Sequence, residues 1–166
     1  MKIRNAIQSE LAFIREQRIQ AYEEHAKSIP LDHWNALKKA ISSDGDSQPG
    51  VDLIVAELEG SIVGSVVLFP AKSDAYEGYV EALDYPEIRM LAVDPNARGK
   101  GVASALIDEC ISRTKAKGYA AIGLHTGEFM KGAMALYESK GFKRLPQYDF
   151  EPANDGIIVK AFQLKF

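Results

Sequence analysis

With 166 residues, 46% hydrophobic and 26% charged, the chain has the make-up of one soluble globular domain spanning 1–166. A net charge of −3 leaves no basic surplus for nucleic acid, and no apolar run nears the ~20 residues that cross a bilayer. The start, Met1-Lys2-Ile3-Arg4-Asn5, lacks a signal-peptide core, and the single Cys110 excludes an intramolecular disulfide. The expected setting is the cytoplasm.

Residues 2–6 read as a first strand. From Ser9, read as the N-cap, Leu11, Ile14, Arg15, Arg18, Ile19 and Tyr22 fall at helical spacing. Pro30 opens a second helix with Leu31, Trp34, Leu37, Lys38 and Ile41. Residues 42–50 form a polar loop. Residues 51–57 and 62–69 are strands joined by a hairpin at Glu59-Gly60, and Pro70 closes the second. The stretch from Ala71 to Pro86 is long for a loop. It sets Asp74, Glu77, Glu81 and Asp84 against Lys72 and carries Tyr76, Tyr79 and Tyr85. It reads either as a solvated connection or as a functional loop.

Residues 88–93 are a buried strand, stopped by Asp94-Pro95-Asn96. A turn, Arg98-Gly99-Lys100-Gly101, leads into a helix whose apolar face holds Val102, Ala103, Leu106, Cys110 and Ile111. Cys110 there reads as a buried thiol, not a nucleophile. Lys115 and Lys117 suit the helix C-terminus, and Gly118 ends it. A second apolar strand from Ala120, a loop and a short helix follow, ending Gly141-Phe142. Residues 143–150 read as a strand broken by Pro146. After the Asn154-Asp155-Gly156 turn, an alternating last strand turns Phe162, Leu164 and Phe166 inward. His25 and His33 fall on helices read as surface helices, and His125 ends a strand. No metal-ligand spacing links the three histidines, so no metal site is expected.

A glycine turn between strand and helix lets ligand oxygens approach the backbone. The free N–H groups and positive dipole end of the first helical turn favour an anion there. A phosphate or pyrophosphate is the expected occupant. Two nucleotide motifs are excluded. The P-loop needs GxxxxGK followed by Ser or Thr, but Gly101 follows Lys100. The dinucleotide fingerprint needs a third glycine where Ser104 stands.

What fits is Arg98-x-x-Gly101-x-Ala103 directly after Leu91-Ala92-Val93. This resembles the acetyl-CoA pyrophosphate motif of the GNAT family of N-acetyltransferases. Downstream, Leu136-Tyr137-Glu138-Ser139-Lys140-Gly141-Phe142 resembles the family's second signature. One departure is Met130, where many members carry Asn.

The resemblance implies a GNAT-like α/β fold: a mixed, mostly antiparallel, twisted sheet with helices on both faces. Its fourth and fifth strands splay around the pantetheine arm. It implies acetyl-CoA as co-substrate, with the backbone of Leu91, Ala92 and Val93 facing pantetheine. Arg98, Gly99, Lys100, Gly101, Val102, Ala103 and Ser104 would surround the pyrophosphate. Tyr137 matches the position that protonates the leaving sulfur; its other reading is a packing tyrosine. Glu87 is either the base for the amine or a strand-end acid. The acceptor is a small-molecule or peptide amine, with a small cationic amine favoured by the acidic loop. Dimers are common in the family. A binding-only acetyl-CoA sensor or subunit, or a different nucleotide-binding domain, stays open.

Overall fold

The computed structural model describes residues 1–72 and 83–166. Its sheet has seven strands: β1 (Lys2–Asn5), β2 (Asp52–Leu58), β3 (Ser61–Phe69), β4 (Glu87–Val93), β5 (Ala121–Gly127), β6 (Lys143–Arg144) and β7 (Val159–Lys165). They lie in the order β1-β2-β3-β4-β5-β7-β6. Every neighbouring pair is antiparallel except β4 and β5, which α3 (Val102–Ala116) joins as a parallel crossover.

The helices divide between the two faces. Val102, Leu106, Ile107 and Cys110 of α3, with Tyr137 of α4 (Lys131–Ser139), pack on Ile54, Val66, Leu68, Ile88, Ile122 and Leu124. On the other face, Ile14 of α1 (Leu11–Tyr22) and Ile41 of α2 (Leu31–Ile41) cover Leu53, Val55, Val67, Phe69 and Met90. The middle strands are buried on both sides, which is why they read as continuous apolar runs. Each fully buried Leu or Ile, such as Leu106 and Ile107, contributes roughly 1.5–3 kcal/mol of transfer free energy.

The hairpin turns at Glu59 and Gly60, both left-handed with φ of 51° and 81°, as a tight two-residue turn requires. Four local expectations are corrected. Ser9 is not an N-cap: it lies inside a short 3-10 turn, Gln8–Glu10, where Glu10 accepts the Ile7 N–H at 2.9 Å. Strand pairing at 143–150 stops after Arg144 because Pro146 begins a 3-10 turn; Phe150 rejoins through one bridge to Val159. Phe162 and Leu164 pack inward, but Phe166 is exposed at the strand end, with the Lys115 ammonium over its ring at 5.0 Å. His33 is buried, because α2 docks on the loops that carry Phe129 and Asp155. No helix among the described residues is long and apolar enough to cross a membrane.

β4 sets the geometry of the site. Ala92 pairs with Ser65 and Arg89 with Val67, so β4 carries one residue more than β3 between these pairs. The extra length is a bulge, and Met90 within it takes φ 59°. A left-handed non-glycine residue costs roughly 1–2 kcal/mol. A bulge bends and twists its strand. β4 pairs with β5 only at Glu87–Gly123 and Ile88–Leu124, and beyond Ile88 the two diverge.

Candidate active site

Among the described residues, divergence leaves the β5-facing edge of β4 without a ladder partner past Ile88. Leu91, Ala92 and Val93 therefore line an open cavity of about 400 Å³. Backbone amides along such an edge are ready to pair with an extended ligand that carries amides of its own.

At the end of β4 the Asp94 side chain accepts the Asn96 N–H at 2.9 Å and turns the chain. Gly99 and Gly101 then take φ of 77° and 79°. A Cβ at either position would meet nothing within 4 Å; it would stand in the open space over the turn. Gly101 caps α3 in a left-handed conformation, and no side chain caps the helix. The first-turn N–H groups of Val102, Ala103 and Ser104 lie at the cavity wall, with the dipole's positive end behind them. Uncapped donors, glycine clearance and an unpaired strand edge in one cavity suit a diphosphate joined to an amide-bearing arm.

The far wall comes from the end of α1 and the 3-10 turn after it, Glu23–Ser28. Ala21, Tyr22, Glu24 and His25 face the cavity. Arg98 reaches across, pairing with Glu24 and donating to the Ala21 carbonyl at 3.5 Å. Burial holds the His25 imidazole below its ordinary range, with Glu24 opposing and Arg98 reinforcing; His25 is therefore neutral at pH 7. Met130, Gly132, Ala133 and Leu136 at the start of α4 form the third wall. Met130, in place of the expected Asn, accepts the Thr126 hydroxyl on Sδ at 3.5 Å.

Of the residues singled out in the sequence, Leu91, Ala92, Val93, Arg98, Gly99, Gly101, Val102, Ala103 and Ser104 share this cavity. Lys100 is exposed on the turn. Tyr137 is 5% exposed and is not among the residues that line the cavity; its ring lies against Phe142 (5.9 Å) and Phe162 (6.3 Å). Burial raises its phenol, reinforced by Tyr22 and Cys110, so the proton stays on at neutral pH. Glu87 does not line the cavity. It is 6% exposed at the start of β4, where Oε2 meets His125 Nδ1 at 3.2 Å. Cys110 is fully buried, and burial pushes its thiol up to about 12. Asp74, Glu77, Glu81, Tyr76 and Tyr79 lie outside the described residues; Asp84 is exposed and Tyr85 half-buried. The sequence reading missed Tyr22, Glu24 and His25. Nothing local marks them, because docking of α1 on the sheet brings them to the cavity.

Gly101→Val tests the turn. Its β-branched side chain would stand over the helix start, at a φ that strains it. The expected result is an acetyl-CoA Kd raised about tenfold or more, equivalent to ~1.4 kcal/mol, by calorimetry on a variant with native circular dichroism. An unchanged Kd in a folded variant would remove the turn from the binding site.

The model of the Acetyltransferase (GNAT) family matches residues 11–142. N-acetylaspartate synthetase of Xenopus tropicalis is 34% identical over 125 residues, 73% of this chain and 43% of that protein. Human N-acetyltransferase 8 is 33% identical over 111 residues, 63% of this chain and 44% of that protein. The chain thus spans less than half the length of these relatives. Among solved structures, PaiA N-acetyltransferase from Thermoplasma acidophilum, in complex with coenzyme A, superposes with a TM-score of 0.71 at 17% identity. That alignment covers 99% of this chain and 98% of the other. A histone acetyltransferase HPA2-related protein of Corynebacterium glutamicum gives 0.71 at 22% identity, covering 98% and 94%.

Proposed function

The chain belongs to the GNAT family of acetyltransferases, and from that premise we propose that it moves the acetyl group of acetyl-CoA to an amine. In its finer form the acceptor is a small cationic amine. The activity is assigned to one domain over 1–166, working in the cytoplasm. The observation that carries the reading is the coincidence of the uncapped α3 start and the unpaired β4 edge on one cavity. The first suits a diphosphate and the second a pantetheine arm.

Each protein group has a task in this scheme. A cationic acceptor first loses a proton, through Glu87 and water, to solvent. Its lone pair forms the C–N bond while negative charge gathers on the thioester oxygen, where backbone N–H donors stabilise it. The nitrogen's surplus proton passes to Glu87. The C–S bond breaks, Tyr137 gives its proton to the thiolate, and solvent restores the phenol. The products are an N-acetylated amine and the free coenzyme thiol.

Assay of an amine panel with acetyl-CoA, reading thiol release, tests this. The panel should include polyamines, amino acids and peptide N-termini. Turnover with small cationic amines is the expected result. Tight acetyl-CoA binding without turnover on any amine would favour a binding-only sensor.

The preference for a cation rests on acids before β4: Asp74, Glu77, Glu81 and Asp84, with Glu87 just beyond. An acidic patch concentrates cations locally, an effect screened over ~8 Å at physiological salt. Changing Asp74, Glu77, Glu81 and Asp84 to Asn or Gln should raise the amine KM severalfold, leave the acetyl-CoA KM unchanged and weaken salt dependence. A neutral or anionic best acceptor, or an unmoved amine KM, would retire the cationic preference.

A further inference from the structure

β4 and β5 meet over only two residue pairs, Glu87–Gly123 and Ile88–Leu124. Because side chains alternate, Glu87 and His125 project from the same side of the sheet, opposite Ile88 and Leu124. There the His125 imidazole is clamped at both ends. Nδ1 lies 3.2 Å from Glu87 Oε2, and Nε2 lies 3.0 Å from the Tyr148 carbonyl oxygen. The ring rests against Phe150 at 5.5 Å between centroids. Both side chains are enclosed, at 1% and 7% exposure.

The clamp settles where the protons go. A carbonyl oxygen only accepts, so Nε2 carries a proton. Nδ1 then faces a carboxylate oxygen, and that contact needs a second proton between them. His125 and Glu87 therefore share one proton beyond the Nε2–H, and Oε2 is taken up by the ring. Only Oε1 is left to accept a proton from elsewhere. It can do so only while the shared proton sits on the histidine.

We propose that His125 is the positioning residue for the base: it holds the shared proton, keeps Glu87 ionised and turns Oε1 toward the acceptor. This rests on the reading of Glu87 as the base. The step is a proton transfer from the amine nitrogen to Oε1, with the Nδ1–H···Oε2 bond kept throughout. The pair goes from neutral overall to a net charge of +1, and the proton then leaves to solvent.

Other groups bear on this pair. Tyr85, from the segment before β4, lies across Gly123 and bonds Gln163 of β7; burial and then the Glu87 charge push its phenol up to about 12. Tyr148 and Asp149 approach from the turn after β6, and Arg144 of β6 pairs with Asp149 at 2.6 Å. Arg144 neutralises Asp149, so among the described residues the charge nearest His125 is that of Glu87.

The test is the pH dependence of kcat/KM for the amine in His125→Phe, His125→Gln and Glu87→Gln. His125→Phe keeps a ring against Phe150 but removes the donor, so the buried carboxylate has to take up its own proton. The acidic limb should move toward alkaline pH by about one unit or more, activity at neutral pH should fall at least tenfold, and raised pH should restore most of it. His125→Gln restores one N–H donor and should return the limb partway toward wild type. The acetyl-CoA Kd should stay unchanged in both. Glu87→Gln should abolish the limb. If Glu87→Gln keeps the limb, Glu87 is not the base and the proposal falls with that reading. If Glu87→Gln abolishes it while both folded His125 variants titrate like wild type, the base stands and the role of His125 is overturned. A uniform loss at all pH values in both His125 variants also overturns it, since packing alone would do that.

Discussion

Tyr137→Phe is expected to lower kcat about a hundredfold, near the low end of the ~10²–10⁴ range for a positioned acid. The fold and the acetyl-CoA KM should not change. The ring stays packed on Phe142 and Phe162, and only the hydroxyl is lost. Burial makes this phenol a weaker acid than a free tyrosine, which at first argues against proton donation. The same interior acts on sulfur, however. Cys110, buried on the same side of the sheet, has its thiol pushed up to about 12 by desolvation. A leaving thiolate in this apolar cavity becomes a stronger base for the same reason, so donor and acceptor rise together. The loss stays near the low end because a thiolate tolerates departure unprotonated better than an alkoxide or amide would. Single-turnover measurement isolates the chemical step from product release. A variant that turns over at the wild-type rate there would return Tyr137 to a purely packing role.

Asp46→Ala is expected to destabilise the protein by about 3–5 kcal/mol, the usual consequence of stripping a buried charge of its partner. Asp46 is fully buried in the 3-10 turn Asp44–Ser47. Arg15 grips it with two bonds, Nη2 to Oδ1 at 2.8 Å and Nε to Oδ2 at 3.2 Å. Arg18, also fully buried, donates Nη1 to Oδ2 at 3.0 Å and to the Ile41 carbonyl at 2.7 Å. Among the described residues Arg18 Nε and Nη2 have no hydrogen-bond partner, so Asp46 is the main compensation for a buried cation. Urea unfolding monitored by circular dichroism gives the loss. A change below about 1 kcal/mol would mean that Arg18 finds solvent when its partner goes. Burial alone would raise the Asp46 carboxyl, but the Arg15 hydrogen bonds and Arg18 charge overcome it and hold it below its usual value. A depressed carboxylate contributes stability that is fully present above the unfolded value of ~3.9 and is lost as pH falls through the folded one. Wild type should therefore lose this increment below about pH 4, and Asp46→Asn should lose less over the same window.

The elements that the sequence determined by itself are those whose signals lie within a few residues. The strand–turn–helix from Ile88 to Ala116 follows from an apolar run, an Asp-Pro-Asn stop, two glycines able to take positive φ and an apolar stripe at helical spacing. That unit builds one wall of the cavity, and the free N–H groups on which the expectation of a phosphate rests were legible because donors at a helix start are a property of the local backbone. The Glu59-Gly60 hairpin and the buried Cys110 were legible on the same grounds. Tertiary structure alone decided the rest. Residues 42–50 look like a solvated polar loop, yet Asp46 is among the most buried groups, because α1 brings two arginines to it from 28 and 31 residues away. The opening between β4 and β5 depends on a bulge at Met90, a residue with no intrinsic preference for positive φ; the register against β3 imposes it. Glu87 and His125 are 38 residues apart and meet only because the parallel crossover places the start of β4 beside the middle of β5. Backbone preference is a property of neighbouring residues. Which side chains share a buried space, and hence which charges must answer each other, is set by strand order and layer docking, which no short window of the chain contains.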